Sequence, residues 1–225
     1  MKNRRTARFL QLKAVMVIVL MNVFISQSIA VAGELTEQVA TKSLIEKLNG
    51  IQSMEADFEQ WIVDGKQNAL QHVTGNMWLQ RPGQFRWDTD DPYPQQIVSD
   101  GDVLWIYDQD LEQATKKKLD KEVGNTPALL LSGDPEQISK RFTISGFEFD
   151  KTGEVRFDLV PKDKEAMFSL LRVHFHHDRL NDMFLKDSIG QTTRIEFKAK
   201  KINQSIAKST FKLKLDDSVD VIEEL

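Results

Sequence analysis

The stretch at residues 77–87, MWLQRPGQFRW, places a turn between two runs of apolar and aromatic residues. Arg81, Pro82 and Gly83 have the chemistry of a turn, because proline fixes one backbone torsion and glycine adopts conformations that other residues avoid. Aromatic residues on both sides are typical of strands. The stretch therefore predicts two short strands, 73–80 and 85–88, with an arginine among aromatic side chains where they meet.

The rest of the chain repeats this alternation of short strands and turns. Strands at a spacing of about ten residues, without long helices between them, favour an antiparallel sheet that curls into a barrel or part of one. We therefore expect a mainly β (α+β) fold with about 11 strands. The predicted strands are 54–59, 73–80, 85–88, 96–99, 103–107, 142–149, 155–160, 168–175, 182–186, 194–200 and 210–215.

Three segments have helical character. Residues 34–48 are rich in helix formers and end at Asn49-Gly50. Residues 125–133 predict a short helix with Pro127 in its first turn, and a second short helix starts at Asp134 and runs to about Arg141. A helix as short as the first is unstable alone, and Leu129, Leu130 and Leu131 leave it almost no polar face. It must cover an apolar surface, as a lid over an open sheet would.

The N-terminus has the pattern of a cleaved signal peptide. A basic segment at 2–13 precedes an apolar run at 14–25, which is too short for a comfortable membrane span. Small residues follow, and we expect cleavage after Ala32, with Ala30 as the alternative. No linker or low-complexity segment divides the remainder, so residues 33–225 are predicted to form a single domain of an exported protein.

Charge and cysteine content exclude several classes of protein. Residues 1–32 hold five of the 30 basic residues and none of the 34 acidic ones, so the mature chain has a net charge of −9. Such a chain is a poor general binder of nucleic acid, whose affinity depends on neutralising phosphates. Without any cysteine, the protein has no disulfide, no thiolate zinc site and no lipid-modified N-terminal cysteine.

The sequence shows none of the common catalytic or nucleotide-binding motifs. The aspartates at 88–91 and at Asp108 and Asp110 occupy turn positions where aspartate is common, and neither cluster fits a calcium loop. A small hydrolase that uses Asp88, Asp90 and His176 is an alternative that this pattern leaves open. The prediction is that no residue is catalytic.

The segment 174–177 is the most metal-like part of the sequence. His174 and His176 share one face of a predicted strand and could supply half of a zinc site, with His177 beside them. The only other histidine is His72, so no third or fourth ligand is evident. A polar strand face is the simpler interpretation, and we predict neither a metal nor a cofactor.

Aromatic residues are concentrated on the predicted strands of the first half of the chain. They would fit an ordinary core, but several tryptophans on neighbouring strands also fit an interior that accepts an apolar guest. Arg81, at a strand end, could donate hydrogen bonds to the last carbonyls of the leucine-rich helix and so latch the lid. The predicted cavity residues are Phe58, Trp78, Phe85, Trp87, Trp105 and Tyr107.

Several short motifs occur in the same order as in a known protein family. Together they span the predicted mature chain. In these residues the sequence resembles the periplasmic lipoprotein carrier family LolA. The motifs are WLQRPGQFRW at 78–87, IVSDG at 97–101, LWIY at 104–107, EQA at 112–114, GNTP at 124–127, Leu185, Asp187, GQT at 190–192 and Phe211.

The resemblance implies an unclosed antiparallel half-barrel with a lid of short helices over a hydrophobic cavity. Such carriers take acylated lipoproteins from an ATP-driven inner-membrane transporter and pass them to an outer-membrane receptor. The family's latch arginine corresponds to Arg81. The receptor shares the fold but is anchored through a cysteine, which favours the soluble carrier here, and we expect a monomer without stable membrane insertion. A related half-barrel sensor or lipid-binding protein is the alternative; the histidines at 174–177 have no role in the family pattern.

Overall fold

The computed structural model describes residues 32–90, 92–119, 131–149 and 152–224. Thirteen strands in these ranges form one sheet. They are β1 (Ala32–Leu35), β2 (Ser53–Val63), β3 (Ala69–Gln80), β4 (Gln84–Thr89), β5 (Gln95–Asp100), β6 (Val103–Asp108), β7 (Gln113–Lys118), β8 (Phe142–Phe149), β9 (Glu154–Pro161), β10 (Phe168–His176), β11 (Arg179–Asp187), β12 (Thr192–Ile202) and β13 (Asp220–Glu224).

The sheet is unclosed, in agreement with the predicted half-barrel. Its order is β1-β8-β9-β10-β11-β12-β2-β3-β4-β5-β6-β7-β13, so the second half of the chain joins the first where β12 pairs with β2. All neighbours are antiparallel except β7 and β13, which are parallel. In the described sheet β1 and β13 stand at opposite ends and do not pair with each other.

The described helices are few and short. Helix α1 (Glu37–Asn49) is capped by Thr36, whose side chain accepts a hydrogen bond from the Val39 amide. The other α-helix is α2 (Ile138–Arg141), and 3₁₀ turns occur at Pro135–Gln137 and Lys208–Phe211. None of the helices in the described ranges is long and apolar enough to cross a membrane.

The inner face of the sheet carries the core. Alternate residues of each strand point to it, and α1 packs there against β8 through Ala40 and Leu44, which are fully buried. Gly146 of β8 allows this close approach, because a Cβ atom at that position would lie 2.9 Å from the Cβ of Ala40. The inner face thus packs on a helix at one end of the sheet.

The outer face is covered only in part, by the chain that follows β12. Phe211, in the second 3₁₀ turn, is buried, and this turn packs against β4 and β5. Arg86 of β4 donates a hydrogen bond from Nη1 to the Thr210 carbonyl, 3.2 Å away. Val98, the outer-face residue opposite Arg86 on β5, is buried as well. These contacts form a small apolar cluster outside the main core.

Most predicted strands are confirmed, with four differences. Residues 32–35 form a strand that pairs with β8, so the helix predicted from residue 34 begins only at Glu37, where Thr36 caps it. Strands β7 and β13 were not expected. The predicted strand 210–215 is wrong: the chain forms a 3₁₀ turn and then crosses the outer face without a strand.

The short helix that starts at Asp134 is confirmed. The Asp134 side chain accepts a hydrogen bond from the Glu136 amide, and the helical segment continues through α2 to Arg141. The signal peptide at 1–32 lies outside the described residues except for its last position, and so do residues 120–130, which include Pro127, Leu129 and Leu130 of the predicted lid.

Candidate functional site

An apolar pocket of about 200 Å³ lies on the inner face, between the two halves of the sheet. Phe85 and Trp87 of β4 and Ile97 of β5 form one side. Strands from the second half of the chain form the other side. The remaining lining residues are Gln60, Ile62, Leu171, Met183, Phe184, Leu185, Thr193 and Ile195.

A stack of aromatic rings supports the first side of this apolar pocket. The Phe58 ring lies 3.7 Å from Trp87, centroid to centroid, with 22° between the planes, and Trp87 makes an edge contact with Phe197. Gly75 of β3 makes room for the stack, because a Cβ atom there would lie 2.5 Å from the Phe58 ring. Three of the six predicted cavity aromatics, Phe58, Phe85 and Trp87, therefore belong to the inner face; their contact with acyl chains stays a prediction.

The other three predicted cavity aromatics lie on the opposite face. Trp78 of β3 faces Arg86 of β4, and Trp105 of β6 faces Val98 of β5, so both belong to the outer face with the C-terminal segment. Tyr107 follows Trp105 by two residues and shares its face. The structure corrects the sequence-based assignment here, because these side chains point away from the pocket. The Lys116 ammonium lies over the Trp105 ring, 5.5 Å from the ring centroid.

A second, polar cavity of about 530 Å³ adjoins the apolar pocket, and we name it the vestibule. The two cavities share Gln60, Trp87 and Ile97. The vestibule is further defined by Gln71, Val73, Thr89, Tyr93, Gln95, Asp108, Asp110 and Leu111. Sequence reasoning did not identify it, because its residues come from five separate segments and none forms a motif.

Arg81 sits at the end of the sheet, beside Ser132 and Gly133 at the end of the predicted lid helix. Its Nε atom donates a hydrogen bond to the Ile51 carbonyl at 2.9 Å, and its Nη1 atom donates one to the carbonyl of Gly133. The adjoining turn adds a backbone contact, from the Gly83 amide to the Ser132 carbonyl at 2.9 Å. Arg81 thus ties the segment that follows the predicted lid helix to the chain after α1. The latch role itself stays a prediction.

Partial burial affects the charge of this arginine. Desolvation lowers the pKa of Arg81 to about 10, and the nearby Asp134 carboxylate opposes that shift. The side chain therefore stays charged at neutral pH. Its Nη2 atom is buried and has no partner within the described part of the chain. Leu131, two residues before Gly133, is buried in the core and is the one predicted lid leucine in the described ranges.

The residues considered for catalysis do not come together. On the outer face, both carboxylate oxygens of Asp88 share the single N–H of Arg86 Nε; burial raises the pKa of Asp88, and the arginine opposes the rise. Asp90 accepts a hydrogen bond from the Thr74 hydroxyl. His176 lies on β10, and four strands separate β10 from β4 in the sheet order. This arrangement gives no support to the hydrolase alternative.

The histidines at 174–177 also remain separate from other ligand-type residues. His174 Nδ1 lies 3.1 Å from an Asp182 carboxylate oxygen, while His176 and His177 stack on each other. Over the described ranges, no group of three or more histidine, aspartate or glutamate side chains is arranged to hold a metal ion.

Sequence reasoning missed the second side of the apolar pocket. Leu171, Met183, Leu185 and Ile195 line it, and all come from strands of the second half of the chain. The signal was present as alternating apolar residues in the predicted strands 168–175, 182–186 and 194–200. The predicted cavity was confined to the first half of the chain because the aromatic residues are concentrated there. Aliphatic side chains line an apolar cavity equally well.

Comparison with known proteins gives one consistent result. Residues 49–214 match the family model described as outer membrane lipoprotein carrier protein LolA. An outer-membrane lipoprotein carrier protein of Pseudomonas putida is 47% identical over 194 residues, which cover 86% of this chain and 89% of that protein. Carriers of the same name from Pseudomonas syringae pv. syringae and Azotobacter vinelandii are 46% identical over 181 residues (80% and 86% covered) and 43% identical over 188 residues (84% and 90% covered).

Proposed function

The chain belongs to the LolA family of outer membrane lipoprotein carrier proteins, and we propose that it carries acylated lipoproteins through the periplasm with their acyl chains in the apolar pocket. The observation that carries this proposal is the pocket itself, which lies on the inner face between the two halves of the sheet and is lined mainly by aliphatic and aromatic side chains. The hydrogen bond from Arg81 to the Gly133 carbonyl, at the end of the predicted lid helix, supports a latched cover.

The energetics of the cargo explain why such a carrier is needed. Each methylene group moved into water costs about 0.8 kcal/mol, so an acyl chain of ~16 carbons costs on the order of 12 kcal/mol. A protein that bears several such chains does not cross an aqueous compartment unaided. The apolar pocket of about 200 Å³ is smaller than the roughly 300–1,000 Å³ of typical ligand sites, so we expect it to widen when cargo enters.

We infer that an inner-membrane ABC transporter loads the protein and that an outer-membrane receptor unloads it. A cover held by a few hydrogen bonds fits this exchange, since each bond contributes only on the order of 1 kcal/mol. Burial of the acyl chains offsets the cost of opening, and release needs no ATP at the carrier. The role requires no catalytic residue, metal or cofactor. The segment 1–32 would direct export and be removed.

The proposal is tested by release of lipoprotein from spheroplasts. Spheroplasts that synthesise a labelled outer-membrane lipoprotein are incubated with the purified mature chain, and the labelled soluble complex is measured. We expect a one-to-one complex to appear in the medium. Absence of any soluble complex with a correctly folded protein would refute the carrier function.

A pair of variants ties release to the apolar pocket. Leu185→Gln places an amide in the pocket lining, whereas Lys186→Gln changes the next residue, which points to the outer face and is exposed. We expect the first variant to release less lipoprotein and the second to match the wild type, with both showing the wild-type circular dichroism spectrum. Equal release by the two variants would place the acyl chains elsewhere.

A further inference from the structure

We propose that the vestibule binds the uncharged peptide segment next to the acylated end of the cargo, and that its carboxylates exclude anionic phospholipid headgroups. The proposal rests on the carrier function stated above and extends it to a second part of the ligand. It gives the cargo a direction in the molecule: the acyl chains occupy the apolar pocket, and the peptide leaves through the vestibule.

The two cavities have the polarity of an amphiphile. The apolar pocket continues into the vestibule through Gln60, Trp87 and Ile97, which line both. Beyond this boundary the lining changes to amides, hydroxyls and carboxylates. A ligand that fills both cavities must therefore be apolar at one end and polar at the other, with no break between the two parts.

The vestibule and the Arg81 latch lie at opposite ends of the same strands. Gln84 of β4 pairs with Asp100 next to the latch, whereas Thr89 pairs with Gln95 in the vestibule. Five residues of extended chain separate Gln84 from Thr89, a distance of about 17 Å. The vestibule reaches solvent, because Tyr93 and Leu111 in its lining are 56% and 69% exposed. A folded cargo domain can thus stay outside while the latch closes at the other end.

The glutamine side-chain amides that line the vestibule can form hydrogen bonds with a peptide backbone. Gln60, Gln71 and Gln95 line it, and their side-chain amides have no hydrogen-bond partner among the described residues. Each glutamine amide offers both a donor and an acceptor, as each peptide group does. A phosphate offers only acceptors, so it would use half of these groups at most.

The charges of the vestibule disfavour an anion. Asp108 and Asp110 are the charged residues of its described lining. Asp108 Oδ1 accepts a hydrogen bond from the Leu111 amide at 3.1 Å, which fixes this carboxylate at the vestibule wall. Phospholipids carry acyl chains similar to those of the cargo, so the apolar pocket alone discriminates poorly between them. Repulsion of a headgroup phosphate by these carboxylates lowers the affinity for phospholipid relative to that for lipoprotein.

The first test is site-specific photo-crosslinking with labelled lipoprotein released from spheroplasts. A photoreactive residue is placed at Gln95 in the vestibule, at Gln96 on the outer face of the same strand, and at Leu185 in the apolar pocket. Gln95 and Gln96 are both partly buried neighbours, so they form a matched pair. Mass spectrometry then locates the crosslinked atoms of the cargo.

We expect Gln95 to crosslink to the peptide residues that follow the acylated one, Leu185 to crosslink to the acyl chains, and Gln96 to give no adduct. Crosslinks from Leu185 without any from Gln95, or acyl adducts from Gln95, would overturn the vestibule proposal and leave the carrier function standing. A released complex that crosslinks at none of the three positions would instead place the cargo outside both cavities and count against the apolar pocket as the acyl site.

The second test addresses the carboxylates. Asp110→Lys reverses a charge in the vestibule, and Asp102→Lys makes the same change in an exposed turn at the latched end. Both proteins are incubated with vesicles of phosphatidylglycerol, and protein-bound phosphate is measured after gel filtration. We expect Asp110→Lys to retain about threefold more phospholipid than Asp102→Lys. Equal retention would overturn the exclusion of anionic headgroups.

Discussion

The inner and outer faces of the same strands have similar aromatic content but different surroundings. Phe85 and Trp87 on the inner face are buried between the two halves of the sheet, beside the apolar pocket. Trp78 and Trp105 on the outer face lie among charged neighbours and a short C-terminal segment. An aromatic residue on a strand therefore does not mark the cavity. The elements packed against each face decide which aromatics can meet a ligand.

The largest difference between the faces is expected in stability. Phe85 is 0% exposed in the core, so Phe85→Ala should lower the free energy of unfolding by about 3–5 kcal/mol, measured by urea denaturation of the mature chain. Trp105→Ala, at a partly buried outer-face position, serves as the comparison and should cost clearly less. If both variants lost the same free energy, the outer face would be as much a core as the inner one.

A second variant asks whether the outer face has a core of its own. Phe211 is 1% exposed and packs over β4 and β5. Phe211→Ala should lower the free energy of unfolding by about 3 kcal/mol, because the cavity that it leaves is covered by one short segment. The same denaturation experiment measures it, with Lys212→Ala as the control. A loss below about 1 kcal/mol would mean that this segment rests on the sheet without being packed into it.

Variants of two arginines near the turn after β3, Arg81 and Arg86, test whether the two faces contribute differently to cargo handover. Arg81→Leu removes the hydrogen bonds to Ile51 and Gly133, so the empty, covered state is less favoured and cargo is retained. Handover of lipoprotein to outer membranes should fall about tenfold, since two such bonds contribute on the order of 1–2 kcal/mol. Arg86→Leu, on the outer face, should transfer cargo normally. Normal handover by the Arg81 variant would remove the latch role.

The smallest expected effect is a dependence of the free energy of unfolding on pH, caused by one exposed ion pair. Lys47 of α1 hydrogen-bonds Asp178 at 2.9 Å, which lowers the pKa of that carboxyl in the folded state. The contact therefore stabilises the fold above the usual carboxyl range, and its contribution is lost as the pH falls through the lowered pKa. Because Asp178 is 94% exposed, Asp178→Asn should cost at most about 0.5 kcal/mol at pH 7.

The pH profile of unfolding in urea tests this contribution. The difference between the wild type and Asp178→Asn should shrink as the pH falls below the ordinary carboxyl range and should disappear below the lowered pKa of Asp178, where its carboxyl is protonated and uncharged. Asp217→Asn, at an exposed position without a partner among the described residues, should follow the wild type throughout. A difference for Asp178→Asn that persisted unchanged at low pH would show that the ion pair is not its cause.

The strands that could be predicted are those in which one face is buried. The predicted strands 73–80 and 142–149 alternate in the sequence and in the structure, because one side of each packs on the core. β7 (Gln113–Lys118) was missed since its sequence, QATKKK, has one buried apolar residue, Ala114. It pairs with β6 on one side and with β13 on the other, where Lys116 and Lys117 form ion pairs with Glu223 and Glu224.

Other features could not be predicted from the sequence, because they depend on contacts between segments that are distant in the chain. Residues 210–215 alternate like a strand, yet Phe211 packs onto the outer face and leaves the segment without a ladder partner. The face of Trp78 could not be read either, because both of its neighbours are apolar and both sides of β3 carry large side chains. Arg81 was located correctly at the end of the sheet, since the Pro-Gly turn that follows it fixes its place.

The two outermost strands of the sheet come from opposite ends of the chain. β1 begins at Ala32, the last residue of the predicted signal peptide, and β13 ends at Glu224. β13 comes much later in the chain than β7, so β7 keeps an unpaired backbone edge until residues 220–224 pair with it. Exposed edges attract other chains. A sheet without residues 220–224 would end at β7 with an exposed backbone edge, so β13 protects the protein against self-association through that edge.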